Sequence, residues 1–149
     1  MGSIHRKLLG LAFLSLLLWP LGVRASDDLT LTAQLIWGSN DQKPKDSKIK
    51  EVDSKLNDAL HSVFKWKTYY EVGKTNIPIK LNETKRVRLS DKCEVEISNQ
   101  GKCKVEVKLF GKGTLAVSKK QTLGKDPMVL AGPDKDDSAW FVIITNPAP

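Results

Sequence analysis

Few residues of this chain have the types and spacing that catalysis requires. Of the two histidines, His5 lies near the start of the chain and His61 lies in a segment with helical spacing. No serine, cysteine or carboxylate stands in a recognisable pattern with His61, so it is a poor candidate for a general base. The sequence therefore predicts no catalytic residue, no enzyme activity and no cofactor.

Three aspartates stand close together near the end of the chain, at Asp134, Asp136 and Asp137. A calcium loop of the EF type also needs further ligands, a glycine at its sharp turn and a closing glutamate, which this stretch does not supply. Two cysteines and one histidine after residue 25 are too few for a typical zinc site. We therefore expect a charged turn here and no metal ion.

The aromatic residues offer a possible binding surface. Trp66, Tyr69 and Tyr70 follow a predicted helix, and Lys65 and Lys67 lie beside them. Together they could bind an anionic glycan or a similar ligand. The other interpretation is that these rings pack where the helix meets the sheet, since each ring buries about 150–250 Å². The sequence favours the packing role and leaves the binding role open.

The stretch from Leu89 to Lys120 predicts two successive β-hairpins, because apolar residues occupy odd positions and charged residues most even ones. Opposite residues in an antiparallel pair must share a face, so odd residues must pair with odd residues. A three-residue loop ending at Gly101 would set Ile97 opposite Cys103, and a loop from Gly111 to Gly113 would set Leu109 opposite Leu115. A register slipped by two residues remains the alternative for the first hairpin.

The chain has two cysteines, Cys93 and Cys103, and a predicted export signal. An even number of cysteines in an exported protein is compatible with a disulfide. In the preferred hairpin register they lie more than about 12 Å apart along the sheet. A disulfide needs a Cβ separation of about 3.5–4.5 Å. We therefore predict two core thiols, and a disulfide remains the alternative that would overturn this hairpin.

Residues 1–25 have the pattern of a secretory signal peptide. A basic start is followed by a short apolar core, and Val23 and Ala25 precede the predicted cleavage point. Removal would leave residues 26–149 as a single α+β domain with no membrane span, and would lower the net charge from +7 to +4. Lysines interleaved with acidic residues argue against nucleic-acid binding. We expect a periplasmic or extracellular protein.

The remaining patterns indicate the order of the elements. Residues 29–37 alternate as a strand, and an apolar stripe from Ile49 to Val63 predicts a helix capped by Asp46, Ser47 or Asp53. Pro78 cannot donate to a ladder, so its strand belongs at an edge or a bulge. Residues 139–145 are apolar on both faces, as a central strand is. The expected fold is α+β, with one helix on a largely antiparallel, curved sheet or sandwich of about eight strands.

Four short motifs resemble those of small exported bacterial proteins with no assigned function. They are Phe64-Lys-Trp-Lys67, Leu89-Ser-Asp-Lys-Cys93, Leu130-Ala-Gly132 and Asp136-Asp-Ser-Ala-Trp-Phe-Val142. The resemblance extends over nearly all of residues 26–149. It implies export and one β-rich domain, and it transfers no functional residue.

These observations lead to two hypotheses of function. The first is a non-enzymatic exported module that contacts an envelope protein through an edge strand, such as the one marked by Pro78, or through a sheet face. The second is a binding protein for an anionic glycan through the aromatic and lysine patch. Asn82-Glu83-Thr84 also fits a glycosylation sequon, which matters only in a eukaryotic secretory pathway.

Overall fold

A computed structural model describes residues 26–41, 45, 48–132 and 138–147. These residues form one helix and nine strands. The strands are β1 (Leu29–Ser39), β2 (Lys50–Glu51), β3 (Thr68–Ile79), β4 (Thr84–Ser90), β5 (Cys93–Asn99), β6 (Lys104–Gly111), β7 (Thr114–Thr122), β8 (Met128–Ala131) and β9 (Ser138–Thr145), and helix α1 (Ser54–His61) follows β2. The prediction of one helix with largely antiparallel strands is confirmed, with nine strands described instead of about eight.

The strands form two antiparallel sheets. The first sheet has the order β2-β3-β1-β9-β8, and the second has the order β4-β5-β6-β7. Alternate residues of both sheets are buried in one shared apolar cluster, which includes Leu31, Leu35, Ile97, Val107 and Val142. The two sheets therefore pack face to face, because each presents one apolar face that must leave water.

Helix α1 covers the opposite face of the first sheet. Its buried Leu60, with the partly buried Leu56, packs on Ile36, Tyr69 and Phe141. Strand β9 lies between β1 and β8 with covered residues on both faces. This position explains the uninterrupted apolar run in its sequence.

The helix begins later than its apolar stripe predicts. Asp53 is the N-cap, and its carboxylate accepts a 2.9 Å hydrogen bond from the amide of Leu56. Upstream, Lys50 and Glu51 pair with β3 as the short strand β2, so this part of the stripe is not helical. The other two predicted caps, Asp46 and Ser47, lie outside the described residues.

The predicted loop of the β5–β6 hairpin is wrong, although its parity rule holds. Ile97 lies opposite Val107 instead of Cys103, which leaves residues 100–103 as a four-residue loop. Asn99 explains the longer loop: its side chain accepts from the amide of Gly101 at 3.0 Å and donates to the carbonyl of Asp27 at 2.7 Å. Lys102 is held in a left-handed conformation as a result, with a φ of 52°.

The predicted β6–β7 loop is also wrong. Lys112 and Gly113 form a two-residue turn with φ angles of 48° and 80°, which suits a tight hairpin. A bulge then shifts the register, so Leu109 pairs with Val117 and Leu115 is left exposed. Because Leu115 points into solvent, Val117 is the one apolar residue of β7 that is at least half-buried.

Among the described residues, no helix is long and apolar enough to cross a membrane. The predicted signal peptide at residues 1–25 lies outside the described part of the chain. The charged turn that contains Asp134, Asp136 and Asp137 lies outside it as well.

Candidate functional site

The five residues of the predicted aromatic and lysine patch do not share one surface. Trp66, Tyr69 and Tyr70 are 4%, 0% and 3% exposed. Tyr69 lies opposite Gly38 and packs in the cluster under the helix. Tyr70 lies opposite Trp37 and therefore points to the other face of the sheet. None of the three rings offers an open face on which a sugar could stack.

Trp66 is held by close packing against the first sheet. A Cβ atom on Gly38 would come within 2.6 Å of the Trp66 ring, so this ring position requires glycine at residue 38. The ammonium of the exposed Lys65 lies 5.1 Å from the centre of the same ring. Lys67 is also exposed, and its amide donates to Asn40 at 3.1 Å. The structure thus brings Lys65 and Trp66 together and separates them from Tyr70.

His61 lies at the end of α1, where it is exposed and contacts the ring of Tyr69 at 5.0 Å. Burial raises the pKa of Tyr69, so its hydroxyl stays protonated. In the described part of the chain, no three residues of the histidine, cysteine, aspartate or glutamate types are grouped as a metal site would need.

Cys93 and Cys103 are both free thiols. Cys93 lies opposite Gly111 at one end of β6, and Cys103 precedes Lys104 at the other end. The eight residues of β6 place the two cysteines on the order of 25 Å apart. Burial, together with the charge of Glu94, raises the pKa of Cys93 to about 11, so this side chain is a protonated thiol at neutral pH.

Three aromatic rings meet in a row that the sequence did not reveal. Trp37 lies 6.0 Å from Trp140 and 5.7 Å from Tyr70, measured between ring centres. The three residues come from β9, β1 and β3, which are adjacent strands of the first sheet. Their contact depends on two strand registers, which pair Trp37 with Tyr70, 33 residues away, and with Trp140, 103 residues away, and the sequence carries no direct signal for either.

The edge marked by Pro78 is partly blocked. Pro78 has no amide proton, and its carbonyl accepts a hydrogen bond from the ammonium of Lys85. Strand β4 packs over the face of β3 nearby, since a Cβ atom on Gly73 would come within 2.5 Å of the Leu89 carbonyl oxygen. A shallow depression of about 360 Å³ lies beside Pro78. At Pro78 itself the edge therefore has no backbone donor, and its carbonyl already accepts a hydrogen bond.

The edge of β7 is different, because β7 pairs only with β6 within the described part of the chain. The amide of Leu123 donates a 2.8 Å hydrogen bond to the carbonyl of Cys103. In an antiparallel ladder, hydrogen-bonded pairs alternate with pairs whose backbone groups point away. The backbone groups of Lys119 and Gln121 therefore point to β6, and those of Ser118, Lys120 and Thr122 point to the free edge.

Strand β7 is also exposed on both faces. Seven of its nine residues are exposed, and only Val117 and Gln121 are half-buried. The strand contains Lys119 and Lys120 and no acidic residue. Lys120 lies 3.9 Å from Glu106 on β6. The result is a long, basic edge beside which no other described strand pairs, and this edge is the candidate functional site.

The sequence did contain a signal for this edge. Apolar alternation stops after Val117, where two lysines follow each other and place one charge on each face. Charged residues, above all lysines, are typical of edge strands, where they prevent unwanted pairing. The sequence prediction of an edge or a bulge was made only for the strand that contains Pro78.

Comparison with protein-family models found no match. Comparisons with curated proteins and with solved structures found none either. The functional argument therefore rests on the geometry of the described residues.

Proposed function

We propose that this chain is a non-enzymatic, exported interaction module that binds an extended, acidic segment of a partner protein. The segment adds as a strand beside β7, and an envelope or extracellular protein supplies it. The observation that carries this proposal is the free edge of β7, where three residues direct their backbone groups away from β6. Export rests on the signal-peptide pattern of residues 1–25.

Strand addition suits this edge because backbone hydrogen bonds supply affinity without requiring a deep pocket. Ser118, Lys120 and Thr122 each offer one donor and one acceptor. At about 0.5–1.5 kcal/mol each, these six hydrogen bonds contribute at most about 9 kcal/mol. The cost of ordering the segment lowers this sum, so the dissociation constant should lie above about 1 µM. We therefore expect a transient complex.

The charge of β7 selects an acidic partner segment over a second copy of the chain. Lys119 and Lys120 lie on opposite faces of the strand. Strand β7 itself has no acidic residue, and Glu106 on β6 lies 3.9 Å from Lys120. Two copies paired in a register centred on either residue would set lysine opposite lysine, which destabilises a sheet. Glutamates on alternate positions of a partner strand would instead meet a lysine directly.

The test is a peptide titration with two nine-residue probes, one alternating glutamate with threonine and one alternating lysine with threonine. The wild-type chain should bind the glutamate peptide and should bind the lysine peptide at least about tenfold more weakly. Lys120→Pro removes one outward-pointing amide and leaves the β6–β7 ladder intact, so it should fold and lose most of this affinity. Lys120→Gln keeps the amide and should lose less.

Lys74→Pro is the matched control. Lys74 lies on β3 four residues before Pro78, so its backbone groups should point away from β1 as those of Pro78 do. It should leave peptide affinity unchanged. The proposal would be overturned if Lys120→Pro bound the glutamate peptide as tightly as the wild type, or if Lys74→Pro alone lost binding. Equal binding of both peptides would also contradict it.

A further inference from the structure

A second surface lies on the other side of the molecule, where the loop after α1 meets the ends of β8 and β9. A depression of about 340 Å³ opens there. It is lined by Val63, Phe64, Lys65, Trp66, Ala131 and Phe141. Its volume falls at the lower end of the range of about 300–1,000 Å³ that is typical of small-molecule sites.

Five of the six described lining residues are apolar by type. Trp66 and Phe141 are 4% and 1% exposed, and Phe64 packs on Phe141 with 4.3 Å between the ring centres. Val63 is 72% exposed, and no other large hydrophobic residue of the described part is as exposed. An apolar group placed in the depression would remove this side chain from water, at about 25 cal/mol for each Å² buried.

Among the described lining residues, Lys65 alone is charged, and its ammonium lies 5.1 Å from the Trp66 ring centre. No acidic residue is among the six lining residues. A ligand with an apolar body and a single anionic head therefore matches the residue types and the charge of this lining. A glycan matches it less well, because the buried Trp66 leaves no open ring face for stacking.

We propose that this depression binds a small amphiphilic anion, such as a medium-chain alkyl carboxylate. The alkyl chain lies against Val63, Phe64 and Ala131, and the carboxylate pairs with Lys65. This site is separate from the β7 edge, and neither proposal depends on the other. Lys65 is a binding residue in this proposal too, but its partner is the carboxylate of an alkyl chain and not a glycan stacked on the aromatic rings.

The probe for this proposal is octanoate, with octanol as its neutral counterpart. Octanoate should bind in calorimetry, and Lys65→Gln should weaken it about fivefold while leaving octanol affinity unchanged, since a partly exposed ion pair contributes up to about this factor. Lys67→Gln is the matched control, because Lys67 is exposed nearby and does not line the depression. It should bind octanoate as the wild type does.

Ala131→Trp is a second variant that fills the depression from the exposed end of β8, where a larger side chain should not disturb folding. It should abolish binding of both octanoate and octanol. Absence of octanoate binding to the wild-type chain would overturn the proposal, as would equal losses in Lys65→Gln and Lys67→Gln. Lys120→Pro should bind octanoate normally, which separates this result from that of the peptide titration.

Discussion

Lys119 and Lys120 are consecutive residues of β7, yet their backbone groups point in opposite directions. Those of Lys119 point to Val107 on β6, and those of Lys120 point away from the sheet. A proline at each position would therefore have a different effect. At residue 119 it would remove a ladder hydrogen bond, whereas at residue 120 it would remove only an unused donor. This alternation defines the free edge on which the proposed function rests.

The packing of Gly38 against Trp66 predicts a large effect from one added methyl group. In Gly38→Ala the new Cβ atom would lie 2.6 Å from the Trp66 ring and 3.1 Å from that of Phe141. We expect a loss of about 1–3 kcal/mol in the free energy of unfolding, measured by urea denaturation. Gly111→Ala is the control, since a Cβ atom there meets nothing within 4 Å. Equal stability of the two variants would refute this account of the Trp66 position.

The positions of Cys93 and Cys103 predict two free thiols in the native protein. Its intact mass should show no loss of two hydrogens, and alkylation after unfolding should modify both residues. In a Cys103→Ser variant the folded protein should react slowly at neutral pH, because the pKa of Cys93 is raised to about 11. A native disulfide would contradict the register of β5 and β6.

The second sheet predicts a pH-dependent contribution from Glu94. Arg86 donates to its carboxylate at 2.8 Å and Arg88 at 3.4 Å, and the hydrogen bond from Arg86 is the main cause of the lowered pKa of Glu94. Because the pKa of Glu94 is lower in the folded state, the ionised carboxylate stabilises the fold at pH values above its unfolded-state pKa of about 4.3. This contribution disappears as the pH falls through the folded-state pKa.

Glu94→Gln should therefore be less stable than the wild type at pH 7, and the difference should shrink below pH 4. Thermal unfolding across this range would measure it. Glu96→Gln is the control, because Glu96 has one longer contact, 3.8 Å to Lys108. A stability difference for Glu94→Gln that persisted unchanged in acid would argue against the ion-pair explanation.

The sequence allowed us to predict which residues of β5 and β6 face the core, because apolar residues recur at every second position. Val95 and Ile97 face the core opposite Leu109 and Val107, so odd residues pair with odd residues as expected. Loop length was not predictable, since Asn99 sets it through a contact with Asp27, 72 residues away in the chain. The sequence near the loop cannot report such a contact.

The candidate sites show the same division. Sequence analysis identified Lys65 and Trp66, which line one depression, because an aromatic residue beside a lysine is visible locally. It grouped them with Tyr70, which the β1–β3 pairing places on the other face of the sheet. The hydrogen bond from Lys85 to Pro78 was not predictable either, since it depends on how β3 and β4 meet.

Hydrogen exchange of the β7 amides, resolved by NMR, tests the central claim most directly. In the free protein the amides of Ser118 and Lys120 should exchange quickly, and those of Lys119 and Gln121 should be protected by β6. Addition of the peptide that alternates glutamate and threonine should slow exchange at Ser118 and Lys120. Protection of Lys120 equal to that of Lys119 in the free protein, or no change at Ser118 and Lys120 with saturating peptide, would contradict the account.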